Sequence, residues 1–248
     1  IDESFLFKLN KFFIFKISFI IYLFNILPLG CTSLLELINI SLKWNSQKEK
    51  PFVKNLNLRI KNGNILCVVG KSGVGKSSLI NVIAGLTEDN LLFEGKIVLN
   101  GKILNDMPTE KRKIGLLLQD GALFPHLTVE QNIYFGMNKK LKPKEKFCLI
   151  KENLKKANMD NFQKRYPNTL SGGQKSRIAC LRAILSEPEV LLLDEPFSSL
   201  DPEHRNTFRN FVVNKVKESK IPCLLVTHDE SDKIISNEKP LDLNLFRE

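Results

Sequence analysis

Residues 70–77 read GKSGVGKS, and this short stretch leaves the chain few folds to choose from. Ahead of it, Ile65 to Val69 (ILCVV) is a continuous apolar run of the kind buried on both faces of a sheet. Behind it, a helical stretch runs from Lys76 to about Ala84 and closes at Gly85. Strand, glycine-rich loop and helix satisfy the spacing GxxxxGK[ST] in the context that gives it a mechanism. Gly70, Gly73 and Gly75 let the backbone curl until successive amide N–H groups point inward at phosphate oxygens, and the helix N-terminus adds the positive end of its dipole. Lys76 is then placed to reach β- and γ-phosphates, and the Ser77 hydroxyl to ligate Mg2+.

From about Leu34 onward, short apolar runs alternate with helical stretches, the pattern of an α/β domain. Leu34 to Leu42 and Val53 to Ile60 read as half-buried strands; in the second, Leu56, Leu58 and Ile60 alternate with Asn57 and Arg59. Val190 to Leu193 and Cys223 to Val226 read as buried strands. Two helices are expected: Pro143 to Met159, with Phe147, Ile150, Leu154 and Ala157 on one face, and Pro202 to Ser219, with Phe208, Phe211, Val212 and Val216 on one face. The run VLLLDE delivers Asp194 to the carboxyl edge of the sheet, where it can hold Mg2+ through water. Glu195 follows it, placed to accept a proton from an attacking water.

Leu170 to Gln174 reads LSGGQ. With the phosphate loop, Gln119, LSGGQ, VLLLDE, the SLD of residues 199–201 and His228 in that order, the chain resembles the ATP-binding cassette (ABC) family over about Leu34 to His228. The resemblance implies a P-loop NTPase core with an N-terminal antiparallel β subdomain and an inserted α-helical subdomain at about residues 120–175, the cassette occupying residues 34–248. It also implies a head-to-tail dimer in which each ATP lies between the phosphate loop of one subunit and LSGGQ of the other. Local physics agrees: Ser171 reads as the N-cap of a helix running to about Leu185, so LSGGQ offers a second helix N-terminus with free amides. One chain cannot close both anion sites on one γ-phosphate, so a partner must supply the second.

Other roles carry over position by position. Lys71, Ser72, Val74 and Ser78 complete the nucleotide-binding loop. Trp44, 26 residues before Gly70, falls where the family stacks an aromatic ring on adenine. Gln119 resembles the glutamine that touches Mg2+ and senses the γ-phosphate, and His228 the histidine that contacts that phosphate and orients water with Glu195. Ser171, Gly172, Gly173 and Gln174 would meet the partner's nucleotide, and Asp201 would communicate across the dimer.

QDGALFPHLTVEQNIYFGM after Gln119 and RYPNTL before LSGGQ resemble bacterial importer subunits, nearest to those for thiamine, iron and polyamine uptake. The implied partners are transmembrane permease subunits, a second ATPase subunit and a substrate-binding protein, at the cytoplasmic face of the inner membrane. CLRA at residues 180–183 departs from the family's more frequent run. The competing class is a soluble ABC ATPase acting on ribosomes or DNA, disfavoured because neither a second cassette nor a long coiled-coil insertion is present. Net charge is +10, but Lys and Arg are spread throughout rather than gathered in a stripe, so nucleic acid is not expected. Five cysteines, odd in number and widely spaced, fit a reduced compartment.

The beginning of the chain has no counterpart in a standard motor subunit. Ile1 in place of Met implies a piece of something longer. Phe12 to Leu29 is apolar apart from Lys16, Asn25 and Pro28, near the lower limit of about 20 residues for a membrane-spanning helix. Three readings stay open for residues 1–33: the last helix of a fused permease, a membrane anchor, or upstream sequence read in frame. At the other end, the chain stops soon after His228, so regulation through a C-terminal domain like that of maltose- and molybdate-type motors is not expected.

Overall fold

The computed structural model describes residues 34–45, 50–137 and 140–246, so the apolar stretch Phe12 to Leu29 lies outside the described residues. Among those described, no helix is long and apolar enough to cross a membrane.

β1 (Leu34–Trp44) pairs antiparallel with β2 (Val53–Lys61), Leu35 facing Ile60 and Leu37 facing Leu58. In β2 every residue expected to point inward is buried and Asn57 and Arg59 are exposed, as period-two alternation requires. β3 (Ile65–Val69) is buried at all five positions and leads through the phosphate loop into α1 (Lys76–Ala84). β4 (Leu91–Leu99) and β5 (Lys102–Ile103) then complete a four-stranded sheet of order β2-β1-β4-β5. Pattern reading passes over β4 because Glu94, Gly95 and Lys96 interrupt its middle.

β6 (Ile114–Leu117) is followed by α2 (Val129–Gly136), α3 (Pro143–Lys156) and α4 (Gly172–Leu185). β7 (Val190–Asp194), α5 (Pro202–Ser219), β8 (Cys223–Thr227) and β9 (Leu241–Asp242) complete the order. Strands β6-β7-β8-β3-β9 lie side by side in a parallel sheet.

That sheet divides two cores by alternation. Ile65, Cys67 and Val69 of β3 pack with Leu191, Leu193, Cys223 and Leu225 against α2, α3, α4 and α5. Leu66 and Val68 pack with Leu192, Leu224 and Val226 against α1 and the antiparallel sheet. Burial pushes the Cys67 and Cys180 thiols up to about 12 and Cys223 well above its usual range, so all three behave as small packing residues.

The helix expected over Pro143 to Met159 ends earlier, at Lys156. The Ala157 amide turns back to the Asn153 and Lys155 carbonyls, and Asn158 enters the left-handed region at φ 53°. Ile150, Leu154 and Ala157 are buried as expected, but Phe147 is 43% exposed and stacks on Tyr134 at 5.4 Å.

Behind β8, the buried side chains of Arg209 on α5 and Asp232 in the following 3-10 turn form an ion pair, with Nε 2.9 Å from Oδ1. The Thr227 hydroxyl donates to the other Asp232 oxygen at 2.7 Å. Removing one partner from such a pair leaves a buried charge uncompensated. Arg209→Ala is therefore expected to cost about 3–5 kcal/mol in urea unfolding, whereas an apolar replacement of both residues costs far less. A loss below about 1 kcal/mol for the single change would contradict this.

Candidate functional site

Four parallel strands bring their carboxyl ends to one edge. β3 stops before Gly70, β6 two residues before Gln119, β7 on Asp194 and β8 before His228. Ligands of open α/β sheets bind outside this edge.

At the phosphate loop, Gly75 caps α1 with φ 104°, and a Cβ there would lie 2.6 Å from the Phe52 ring, so neither the backbone nor the space admits another residue. Trp44 stacks on Phe52 with centroids 5.4 Å apart. Through Phe52 the Trp44 ring therefore flanks the loop despite the distance in sequence. Phe52 was not singled out from sequence; its one signal is an aromatic side chain directly before β2. Lys76 is buried, and its Nζ donates to the Gly70 and Lys71 carbonyls, both at 2.9 Å. Val74 is buried and props the loop from within, while Lys71, Ser72, Gly73 and Ser77 are exposed and Ser78 is half-buried.

Asp194 is buried, with the Ser77 side chain among the groups that favour its charged form. Burial raises its carboxyl above the usual carboxylate range, with the neighbouring Glu195 charge adding and the Ser77 side chain and Lys76 charge opposing. Glu195 sits in the left-handed region at φ 49°, a conformation that needs surrounding support. Its amide donates to the Val226 carbonyl at 2.9 Å, and its carbonyl accepts from the Ser198 hydroxyl at 3.0 Å. Its Oε1 lies 2.8 Å from Nδ1 of His228, whose side chain is more than half exposed. If Nδ1 carries the proton, Glu195 accepts it and Nε2 is left as the second polar atom of the ring. Gln119 is exposed in the turn after β6.

LSGGQ forms the entrance to α4. The Ser171 hydroxyl accepts from the Gln174 amide at 3.3 Å and the Gln174 side chain accepts from the Ser171 amide at 3.0 Å, a reciprocal capping box. A Cβ on Gly173 would lie 2.6 Å from the Ser199 carbonyl, so only glycine lets the helix approach the SLD turn this closely. Asp201 caps α5, accepting from the His204 amide at 3.0 Å; this bond and the His204 ring hold its carboxyl below the usual range. The structure thus joins Glu195 to His228 at the edge that carries the phosphate loop, and separately packs LSGGQ on the turn leading to Asp201. Among the described residues no hydrogen bond or ion pair links residues 70–78 to residues 170–174.

A profile of the ABC transporter family matches residues 53–198. The chain belongs to that family. It is 38% identical over 206 residues to an Fe(3+) ions import ATP-binding protein of Fusobacterium nucleatum, covering 82% of this chain and 54% of the relative. Against a spermidine/putrescine import ATP-binding protein of Oleidesulfovibrio alaskensis it is 35% identical over 193 residues, covering 77% and 51%. The chain therefore spans about half the length of these curated relatives. Among solved structures, a dimeric post-hydrolysis state of an ATP-binding cassette bound to ADP and Pi superposes with a TM-score of 0.71 at 28% identity, covering 82% of this chain and 91% of that one. The fold is that of the ABC cassette.

Asp194 carries a consequence for stability. Because its folded pKa lies above the unfolded one, its ionisation works against folding; the cost is complete above the folded pKa and is relieved as pH falls through it. Asp194→Asn should raise the thermal midpoint of the nucleotide-free chain at neutral pH, and the advantage should shrink as the pH is lowered through that window. An unchanged or lower midpoint at neutral pH, read by calorimetry, would count against the electrostatic account.

Proposed function

We propose that this chain is the ATP-hydrolysing motor subunit of a membrane importer for a small solute, with Glu195 as general base. The observation that carries the reading is the Glu195–His228 hydrogen bond at the sheet edge that also carries the phosphate loop and Asp194. ATP phosphates entering the loop would draw the Lys76 ammonium from two neutral carbonyls to charged oxygens, a stronger bond. Residues 70–78 cradle the phosphates, and Trp44 offers its face to adenine. An exposed hydroxyl at Ser77, the carboxylate of Asp194 and the amide oxygen of Gln119 are hard oxygen donors that suit Mg2+. When bound there, that ion neutralises charge on the β- and γ-phosphates. Glu195 takes the proton of the attacking water while His228 holds that water and the γ-phosphate.

The amides of Gly172 and Gly173, with the hydroxyl of Ser171 and the side-chain amide of Gln174 at the same helix entrance, would meet the nucleotide of a second subunit, the Ser171 and Gln174 amides being held in the capping box. The dimeric state of the similar solved cassettes supports the same assembly, with Asp201 at the shared boundary. The import relatives support permease subunits as partners; a substrate-binding protein at the outer side would complete such an importer, and the motor would then work at the cytoplasmic face. A permease docking place here is supported by one surface patch: Leu123 and Phe124 are half-buried, Pro125 is exposed, and Phe135, 68% exposed, meets Phe124 edge-on at 4.9 Å. Exposed aromatic side chains in one patch mark an interaction surface.

Glu195→Gln should keep ATP binding while turnover falls by roughly 10² or more. The same change is expected to trap an ATP-bound dimer visible by light scattering; unchanged turnover removes Glu195 from the role. A cysteine placed at Phe124 should crosslink to the permease efficiently and in an ATP-sensitive way, and crosslinks confined to distant surfaces would refute the docking site.

A further inference from the structure

Helix α4 starts at the residues offered to another subunit's nucleotide and continues along the loop that carries this subunit's own Glu195. Ser176, buried in its second turn, donates its hydroxyl to the Pro196 carbonyl at 3.0 Å. Pro196 is itself buried and follows Glu195 directly. One turn earlier, Gly173 lies against the Ser199 carbonyl. Near the far end, Arg182 donates to the Ala122 carbonyl at 3.0 Å, three residues beyond Gln119, where Ala122 holds a φ of 36°. From Gln174 to Leu185 the helix contains neither glycine nor proline, and Ser176 to Leu181 are buried without a break. Such a helix has no internal hinge, so displacement of its N-terminus is passed along it.

Glu195 is sensitive to displacement at this point. Its left-handed backbone is maintained by the Val226 and Ser198 bonds on one side and, through Pro196, by Ser176 on the other. We propose that Ser176 is a positioning residue for Glu195, tying the LSGGQ helix to the general base so that closure of LSGGQ on the partner's ATP sets the aim of Glu195 in its own subunit. Each ATP site is thereby coupled to the other through a buried serine. The inference rests on the ATPase reading and its sandwich dimer.

Steady-state ATPase assays on the full chain with Ser176→Ala, Ser176→Thr and Ser176→Cys test it, with thermal midpoints measured alongside. Ser176→Ala should lower kcat about tenfold, leave the KM for ATP within about twofold, and bring the Hill coefficient for ATP from above unity to unity. Ser176→Thr, which keeps the hydroxyl, should restore both readouts; Ser176→Cys, of similar shape with a weaker donor, should fall between. Losses in kcat and KM that track a lowered midpoint would mark a merely structural serine and overturn the proposal. So would a wild-type Hill coefficient of unity, or active Ser176→Ala protein indistinguishable from wild type. Wild-type protein that binds ATP without ever turning it over removes the ATPase reading, and the inference with it.

Discussion

Burial of β3 on both faces is the constraint on which the other elements depend. Five apolar residues with no exposed side must have one layer above and another below, and alternation assigns Ile65, Cys67 and Val69 to one and Leu66 and Val68 to the other. Parallel pairing with β8 along the whole strand then brings the chain out at Gly70 and at His228 from neighbouring strands on the same edge. The chemistry is gathered there because parallel strands all end on one side.

Groups at that edge are held at some cost to the fold. Asp194 is ionised against the penalty of burial, and Glu195 sits in a backbone region that side chains of its kind seldom occupy. What offsets these terms lies just behind them. The Arg209–Asp232 pair and the Thr227 hydroxyl bind α5 to the end of β8, and the Arg205 guanidinium meets Asp229 at 2.5 Å on the far side of His228. His228 is thus exposed and yet carried by a loop anchored on both flanks. Lys76 shows the complementary case: its buried charge is met by the Gly70 and Lys71 carbonyls of its own loop.

Two helix N-termini of the chain open on glycine, yet they are supported differently. Gly75 opens α1 beneath the rings of Phe52 and Trp44, whereas Gly173 opens α4 against the backbone of the SLD turn. The second support is the one that carries information, because that turn continues from Pro196 and ends in the Asp201 cap of α5.

Much of this was legible in the residues themselves. GKSGVGKS, LSGGQ and VLLLDE specify their own strand, loop or helix start through local rules of backbone freedom, capping and apolar runs, and α4 and α5 begin and end where those rules place them. β4 escaped because its middle is polar, and α3 was read too long because Ala157 is buried beyond the end of the helix, where the chain turns back through Asn158. Phe52 and Ser176 could not be singled out, since nothing adjacent in sequence distinguishes an aromatic that closes on Gly75 or a serine that reaches Pro196. The sequence by itself determined the family, the strand, loop and helix around GKSGVGKS and the order of the elements, because those depend on neighbours along the chain. Only the tertiary structure decided that Val226, His228 and Ser176 surround the Glu195 loop and that Phe52 covers Gly75, because those contacts join residues that folding alone brings together.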